Sequence, residues 1–222
     1  MPEQHKGKWI MKTSVALLVI CSFAWGVVAS AAVSGEIKLP EPDLNSGKPL
    51  MQCFAQRRSL RRFDSRALPL QMVSEILYAA DGINRKDGRK TVPTARNKQN
   101  QSIYVFTAEG VYFYNNKTHS LVPVLKGDFR KICGKQSFHQ KAPLVLLYVA
   151  DMSAIGETPE LQSLYAGNHS GHASQNVYLY AASKGLSTVV CGMLDRGLLK
   201  KTLKLKPSCQ VIFSQPVAFP AK

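Results

Sequence analysis

The densest cationic cluster in the chain is Arg57-Arg58-Ser59-Leu60-Arg61-Arg62-Phe63. A guanidinium grips phosphate through two parallel N–H donors, and a serine hydroxyl adds a further short bond. The cluster has the makings of a phosphate clamp, although arginines at a helix end also simply complement the helix dipole. A second group is Thr94-Ala95-Arg96-Asn97-Lys98-Gln99-Asn100. Small and amide residues in a loop leave donors and acceptors within reach of the edge of a flat heterocycle, but most polar loops are only loops. The third group, Val190-Cys191-Gly192-Met193-Leu194-Asp195, reads as a strand end where Gly192 lets something approach the backbone closely. A plain strand-to-helix turn has the same composition.

Such groups need elements to hold them. A short helix over 50–56, with Leu50, Phe54 and Met51 or Cys53 facing inward, leads into the arginine cluster. Pro69 opens a second helix, with Val73, Ile76, Leu77 and Ala80 on one face and Gly82 as its stop. Residues 83–100 form a long basic loop, and long loops in compact domains are commonly functional. Strands are expected at 102–107, 111–114 and 121–125, the first two joined by a turn at Glu109-Gly110. A short helix follows at 128–134, then an apolar, buried strand at 142–150. His172 to Lys184 is apolar nearly all round, so it is a helix buried on most sides or at a subunit interface, capped by Gly185. A strand at 187–193, a basic helix at 198–203 and a strand at 211–219 close an α+β fold.

The bulk numbers narrow the function classes. The chain has 222 residues, 45% of them hydrophobic and 19% charged, which suits one domain with a sizeable core. A net charge of +15 fits polyanions, anionic surfaces or phosphate-bearing ligands alike. Lys200, Lys201, Lys204 and Lys206 form a stripe that would suit a polyanion, and more simply a solvated face. His169 and His172 share a helical face, but no third ligand lies nearby, so no metal is expected. Asp64 and Asp81 read as lone carboxylates in polar surroundings, without a partner for acid–base work.

The N-terminus reads as an export signal. Lys6, Lys8 and Lys12 precede an uncharged stretch from Thr13 to Val33 that ends in Ala29-Ser30-Ala31-Ala32. A positive start, a short apolar run and a small-residue exit describe a signal peptide, cleaved after Ala31, with Met11 as an alternative start. An uncleaved membrane anchor through residues 13–33 is the alternative. The expected organisation is a signal or anchor at 1–31, an extended lead-in at 32–49 and one domain at 50–222. Export would leave a mature charge of +13, once Lys6, Lys8, Lys12 and Glu3 are removed, and would disfavour a nucleic-acid role. Cys53, Cys133, Cys191 and Cys209 permit two disulfides there, but irregular spacing favours buried free thiols.

Taken together, RRSLRRF at 57–63, PTARNKQ at 93–99, the stretch 171–179, Gly185-Leu186, the Gly192 turn and the closing Pro216-Val217-Ala218-Phe219-Pro220 resemble the nitroreductase family of FMN oxidoreductases. The resemblance covers about residues 36–220. It implies a mixed sheet flanked by helices in an intertwined homodimer, with FMN in the subunit interface. Arg57, Ser59 and Arg61 would hold the phosphate and ribityl chain, with Arg58 nearby. Thr94, Ala95, Asn97 and also Gln99 would come from the other subunit. Cys191 and Gly192 would lie along the flavin ring, and Lys135 or Gln136 would serve its pyrimidine end. Hydride would pass from NAD(P)H to the flavin and on to a nitroaromatic or quinone, in a periplasmic or other extracytoplasmic setting. No side chain need act as a general acid or base. The chain departs from the family in ending at Lys222, in carrying Ala218 where glycine is frequent, and in a short region between Asp151 and His169. These departures leave room for an azoline-type dehydrogenase of the same superfamily, or a non-catalytic flavin- or polyanion-binding protein.

Overall fold

A computed structural model describes Met1 and residues 35–222. Every element described belongs to the unit Ala32–Lys222. The expected signal peptide or anchor lies outside the described residues. No helix among the described residues is long and apolar enough to cross a membrane.

The centre of the sheet is β5 (Leu144–Asp151), buried at every position but its last. Successive side chains of a strand point to opposite faces. Leu144, Leu146 and Tyr148 therefore enter one core, with Val73, Ile76 and Leu77 of α2 (Leu70–Asp81) and Ala173 and Val177 of α3 (Pro159–Lys184). Val145, Leu147 and Val149 enter the other, with Phe63, Cys191 and Leu199. Two covered faces explain a strand that is apolar almost throughout. Around β5 the strands run in the order β1 (Ile37–Lys38), β4 (Ser120–Lys126), β3 (Gly110–Asn115), β2 (Gln101–Phe106), β5, β7 (Cys209–Ala218) and β6 (Ser187–Thr188), each pair antiparallel. The helices α1 (Leu50–Gln56) and α4 (Arg196–Thr202) complete the α+β architecture.

Several elements depart from the sequence expectations. In α1 only Cys53 is buried; Leu50, Met51 and Phe54 are 59%, 75% and 49% exposed. Seven residues make two turns, and one side of them suffices to meet α3, so the other apolar side chains face out of the single chain. The helix α3 begins at Pro159, thirteen residues before the expected His172. Thr158 caps it through its side chain, and Pro159 sits where a missing N–H costs nothing. Gln162, Asn168, Gly167 and Gly171 hid that first half, because they break the apolar period. The expected helix at 128–134 is a 3-10 turn at Arg130–Cys133, followed by another at Ser137–Gln140. The lead-in contributes β1 on the edge of the sheet, and its Leu39 is buried. Cys53, Cys133, Cys191 and Cys209 are all free thiols.

Asp81 also differs from its expected polar surroundings. It lies buried at the end of α2, with Lys90 Nζ at 2.8 and 3.0 Å from its carboxylate oxygens and Asn116 Nδ2 at 2.7 Å. Lys90 is equally buried, so the pair staples the 83–100 loop to α2 at its beginning.

Candidate functional site

The arginine cluster runs as an extended strip beside the start of the 187–191 segment. Leu60 N–H donates to Thr188 O at 3.0 Å, and Phe63 bridges Pro220, which anchors the strip at both ends. Phe63 is buried against Phe138, so the apolar end of RRSLRRF is the plug that fixes it to the core. Among the described residues, no Asp or Glu side chain pairs with Arg57, Arg58, Arg61 or Arg62. Arg58 and Arg61 are exposed; Arg62 donates its guanidinium to Lys222 O and its carbonyl accepts from Ala221 N–H. A run of cations without internal partners is a ready site for an anion.

The third motif stands beside this strip. The expected strand at 187–193 is only Ser187–Thr188, after which Cys191 makes an isolated bridge to Ser214 of β7, at 2.8 and 3.0 Å. Tyr178 on α3 links the two motifs. Its hydroxyl shares a 2.8 Å hydrogen bond with Ser59 Oγ and accepts from Val190 N–H at 2.9 Å. The guanidinium of Arg57 lies 5.3 Å from the centre of the same ring, within cation–π range. Beyond the bridge, Gly192 is exposed, and a Cβ added there would meet nothing within 4 Å. The backbone at this turn is open to a flat group.

The turns at 134–140 form the next wall. Lys135 N–H donates to Met193 O at 3.1 Å, and Gln136 Nε2 lies 3.8 Å from Met193 Sδ. Gln136 Oε1 is buried with no hydrogen-bond partner, an orphaned acceptor beside the open turn. These turns are set by His139, fully buried, whose Nδ1 meets Gln136 O at 3.0 Å and whose Nε2 meets Ser214 Oγ at 3.1 Å. Burial lowers its pKa, which keeps the ring neutral. Burial likewise pushes the Cys191 thiol up to about 11, against the opposing charge of Arg61. Cys191 is thus a neutral wall group and no nucleophile.

The second motif lies elsewhere in the single chain. Its partner on α3 is His169, nine residues before Tyr178, which is about 13 Å along a helix axis. The loop is unusual in backbone as well as position: Arg96, Asn97 and Gln99 take φ of 50°, 52° and 46°. Non-glycine residues in this left-handed region cost roughly 1–3 kcal/mol each. Ala95 N–H donates to His169 Nε2 at 2.8 Å, so Ala95 offers only its methyl to a ligand. Gln99 N–H donates to Thr94 Oγ1, and its side-chain amide donates to Gly88 O and Asn97 Oδ1. Gln99 thus turns inward and braces the loop. Both nitrogens of His169 are occupied by protein groups, which removes the ligand pair once weighed for a metal.

The residue types of the strip, the loop and the turn stand out in the sequence, whereas Tyr178, His139 and His169, which hold them, do not. Tyr178 counted there only as an apolar helix face; a hydroxyl on such a face was the available signal, since buried tyrosine hydroxyls seek partners.

A model of the nitroreductase family matches residues 54–218, spanning the strip, the loop and the Gly192 turn. The chain belongs to the nitroreductase family. A nitroreductase-like protein of Methanocaldococcus jannaschii is 35% identical over 182 residues, 77% of this chain and 90% of its own length. The crystal structure of a nitroreductase-like protein from Ralstonia eutropha superposes with a TM-score of 0.80 at 37% identity, over 88% of this chain and 93% of the other. A nitroreductase-like structure from Desulfovibrio desulfuricans, solved in complex with FMN, shares the fold at a TM-score of 0.57 and 22% identity, over 80% and 89% of the two chains. Membership in the nitroreductase family confirms the α+β fold expected from the sequence and places the chain among oxidoreductases.

Proposed function

We propose that this protein is an exported, homodimeric, FMN-dependent oxidoreductase that passes reducing equivalents from NAD(P)H to a flat acceptor such as a quinone or nitroaromatic. The observation that carries the reading is Tyr178, which holds an unpaired cationic strip against an open glycine turn. The residues fit FMN: cations at one end, the bare backbone of Gly192 in the middle, and the orphaned Gln136 Oε1 as an acceptor on the far side. Arg57, Ser59 and Arg61 would take the phosphate and ribityl chain, with Arg58 adding charge. Cys191 and Gly192 would lie along the ring. Thr94, Ala95 and Asn97 of a second copy would close the site, since those of the same chain belong to the far end of α3. The large apolar side chains of Leu50, Met51, Phe54, Leu161 and Leu164, exposed in one chain, suit burial in such a dimer. Export rests on the uncharged stretch 13–33 and its small-residue exit.

When bound, FMN supplies the hydride chemistry. The chain's own part is placement and electrostatics. Arg57 and Arg61 would hold the phosphate end by charge, and Lys135 or Gln136 would serve the pyrimidine end of the ring. No ionisable side chain is required to move a proton. The test is anaerobic mixing of FMN-loaded protein with NADH or NADPH, followed by a benzoquinone. Donor oxidation on mixing and renewed oxidation on adding quinone are expected; a loaded protein inert to both donors would contradict the donor assignment.

A further inference from the structure

His169 is buried, on the inner side of α3, and bridges two points of the strained loop. Ala95 N–H, which can only donate, points at Nε2 at 2.8 Å. Nε2 must therefore carry the lone pair, and the ring proton sits on Nδ1, where Asn100 Oδ1 accepts it at 2.7 Å. Asn100 is itself fixed, its carbonyl accepting from Asp151 N–H at 2.9 Å, at the end of the central strand. The Tyr165 ring stacks over the imidazole at 6.0 Å between centroids, an interplanar angle of 19°. One neutral imidazole thus connects Ala95, Asn100 and, through Asn100, the end of β5.

We propose that His169 is the positioning residue of the cofactor-facing loop, holding the segment 94–100, with Arg96, Asn97 and Gln99 left-handed, in place only while the ring is neutral. The proposal rests on the flavin reading for what the loop serves, and on geometry alone for how the loop is held. A second proton would have to go on Nε2, where it would face the Ala95 N–H. Two donors cannot share a hydrogen bond, so the loop would lose the contact that offsets its strain. The charged and titratable groups lining the cavities beside the ring are His172 and Tyr165 on its own helix, Arg96 and Lys98 on the loop, Glu157 just before α3, and Asp151 on β5, whose carboxylate is taken by Ser153. Neither carboxylate bonds to the ring, whose two nitrogens are taken by Ala95 N–H and Asn100 Oδ1, so neither holds an imidazolium in place. Burial, with His172 adding to it, lowers the pKa, so the neutral form prevails at pH 7. The contact is lost only as the pH falls below the ordinary histidine value toward the lowered one.

The test compares the full chain with His169→Gln and His169→Ala. A glutamine amide keeps an acceptor near Nε2 and a donor, and does not titrate. Hydrogen exchange over residues 94–100 is read at pH 8 and pH 5.5, corrected for intrinsic rates, beside FMN affinity. Relative to wild type at pH 8, exchange should rise severalfold in wild type at pH 5.5, with a ceiling of about tenfold one pH unit below the ordinary histidine value, and at least tenfold in His169→Ala at both values. His169→Gln should stay protected throughout. FMN affinity should follow the same order; the FMN phosphate titrates in every variant, so the glutamine comparison isolates His169. Circular dichroism and thermal melts identify a variant that merely fails to fold, and wild type against pH decides in that event. Equal protection of the segment in wild type at both pH values, or in a folded His169→Ala, would overturn the proposal. A wild type that binds no FMN, yet shows the exchange pattern, would leave the positioning role standing and remove the flavin reading.

Discussion

Replacing Tyr178 with phenylalanine removes one hydroxyl and keeps the ring. Two hydrogen bonds go with it, one shared with Ser59 Oγ and one accepted from Val190 N–H. Ser59 is exposed, so water replaces its partner at little cost. The Val190 amide is half-buried and finds no acceptor on a phenyl ring. An orphaned buried donor costs about 1–3 kcal/mol, and the partial exposure of Val190 puts the penalty near the lower bound, about 1 kcal/mol. Because about 1.4 kcal/mol is a factor of ten in an equilibrium constant, FMN affinity should fall roughly five- to tenfold if the strip and the turn must be aligned to bind. Tyr178→Leu also removes the ring beneath Arg57, worth about 0.5–1 kcal/mol, and should weaken binding a few-fold more. The assay is an FMN fluorescence titration at fixed ionic strength, with Ser59→Ala completing a double-mutant cycle. The two single changes should not add, since each removes the same bond. A Tyr178→Phe protein that binds FMN as tightly as wild type would refute the reasoning, and would leave the backbone anchors at Leu60 and Phe63 as sufficient.

Other outcomes follow from the same geometry. Lys90→Met leaves the buried Asp81 carboxylate with Asn116 alone and should cost about 3–5 kcal/mol in urea unfolding at pH 7. Burial already raises Asp81 above its ordinary 3.8, and losing the lysine raises it further. Stability is then fully present below 3.8 and lost as the pH rises through the raised value, so the penalty should be smaller at pH 4; an equal penalty at both would contradict this. Gly134→Ala would set a methyl 2.1 Å from the His139 ring and should lower stability by about 1–3 kcal/mol, read as a drop in melting temperature. Gly192→Ala meets open space and should melt like wild type while weakening FMN at least tenfold; unchanged FMN binding would remove the turn from the site. The Cys191 thiol, at about 11, should resist iodoacetamide at pH 8 in the native state and react fully in denaturant.

What the sequence made legible was mostly what alternation and local spacing encode. The strand β5 was readable because both its faces are covered, and the α2 face because its apolar residues recur at helical spacing. The start of α3 was not, because a helix whose glycine and amide residues interrupt the apolar period carries no stripe to detect. The exposed apolar side of α1 could not be assigned either, since periodicity finds an apolar face without saying what covers it. In the site, residue types sufficed to pick out the strip, the loop and the turn. Their supports escaped because they act across long sequence separations: Tyr178 meets Ser59 from 119 residues away, His169 meets Ala95 from 74, and His139 meets Ser214 from 75. The left-handed run at Arg96, Asn97 and Gln99 has no glycine to announce it and exists only because tertiary contacts hold it.

The central claim is that the strip and the turn hold FMN, and the visible absorption spectrum after incubation with FMN and desalting tests it most directly. A retained flavin band corresponding to one FMN per chain is expected, diminished in Tyr178→Phe and lost in Gly192→Ala. A folded protein that emerges colourless would contradict it, and would make the cationic strip a surface for some other anion.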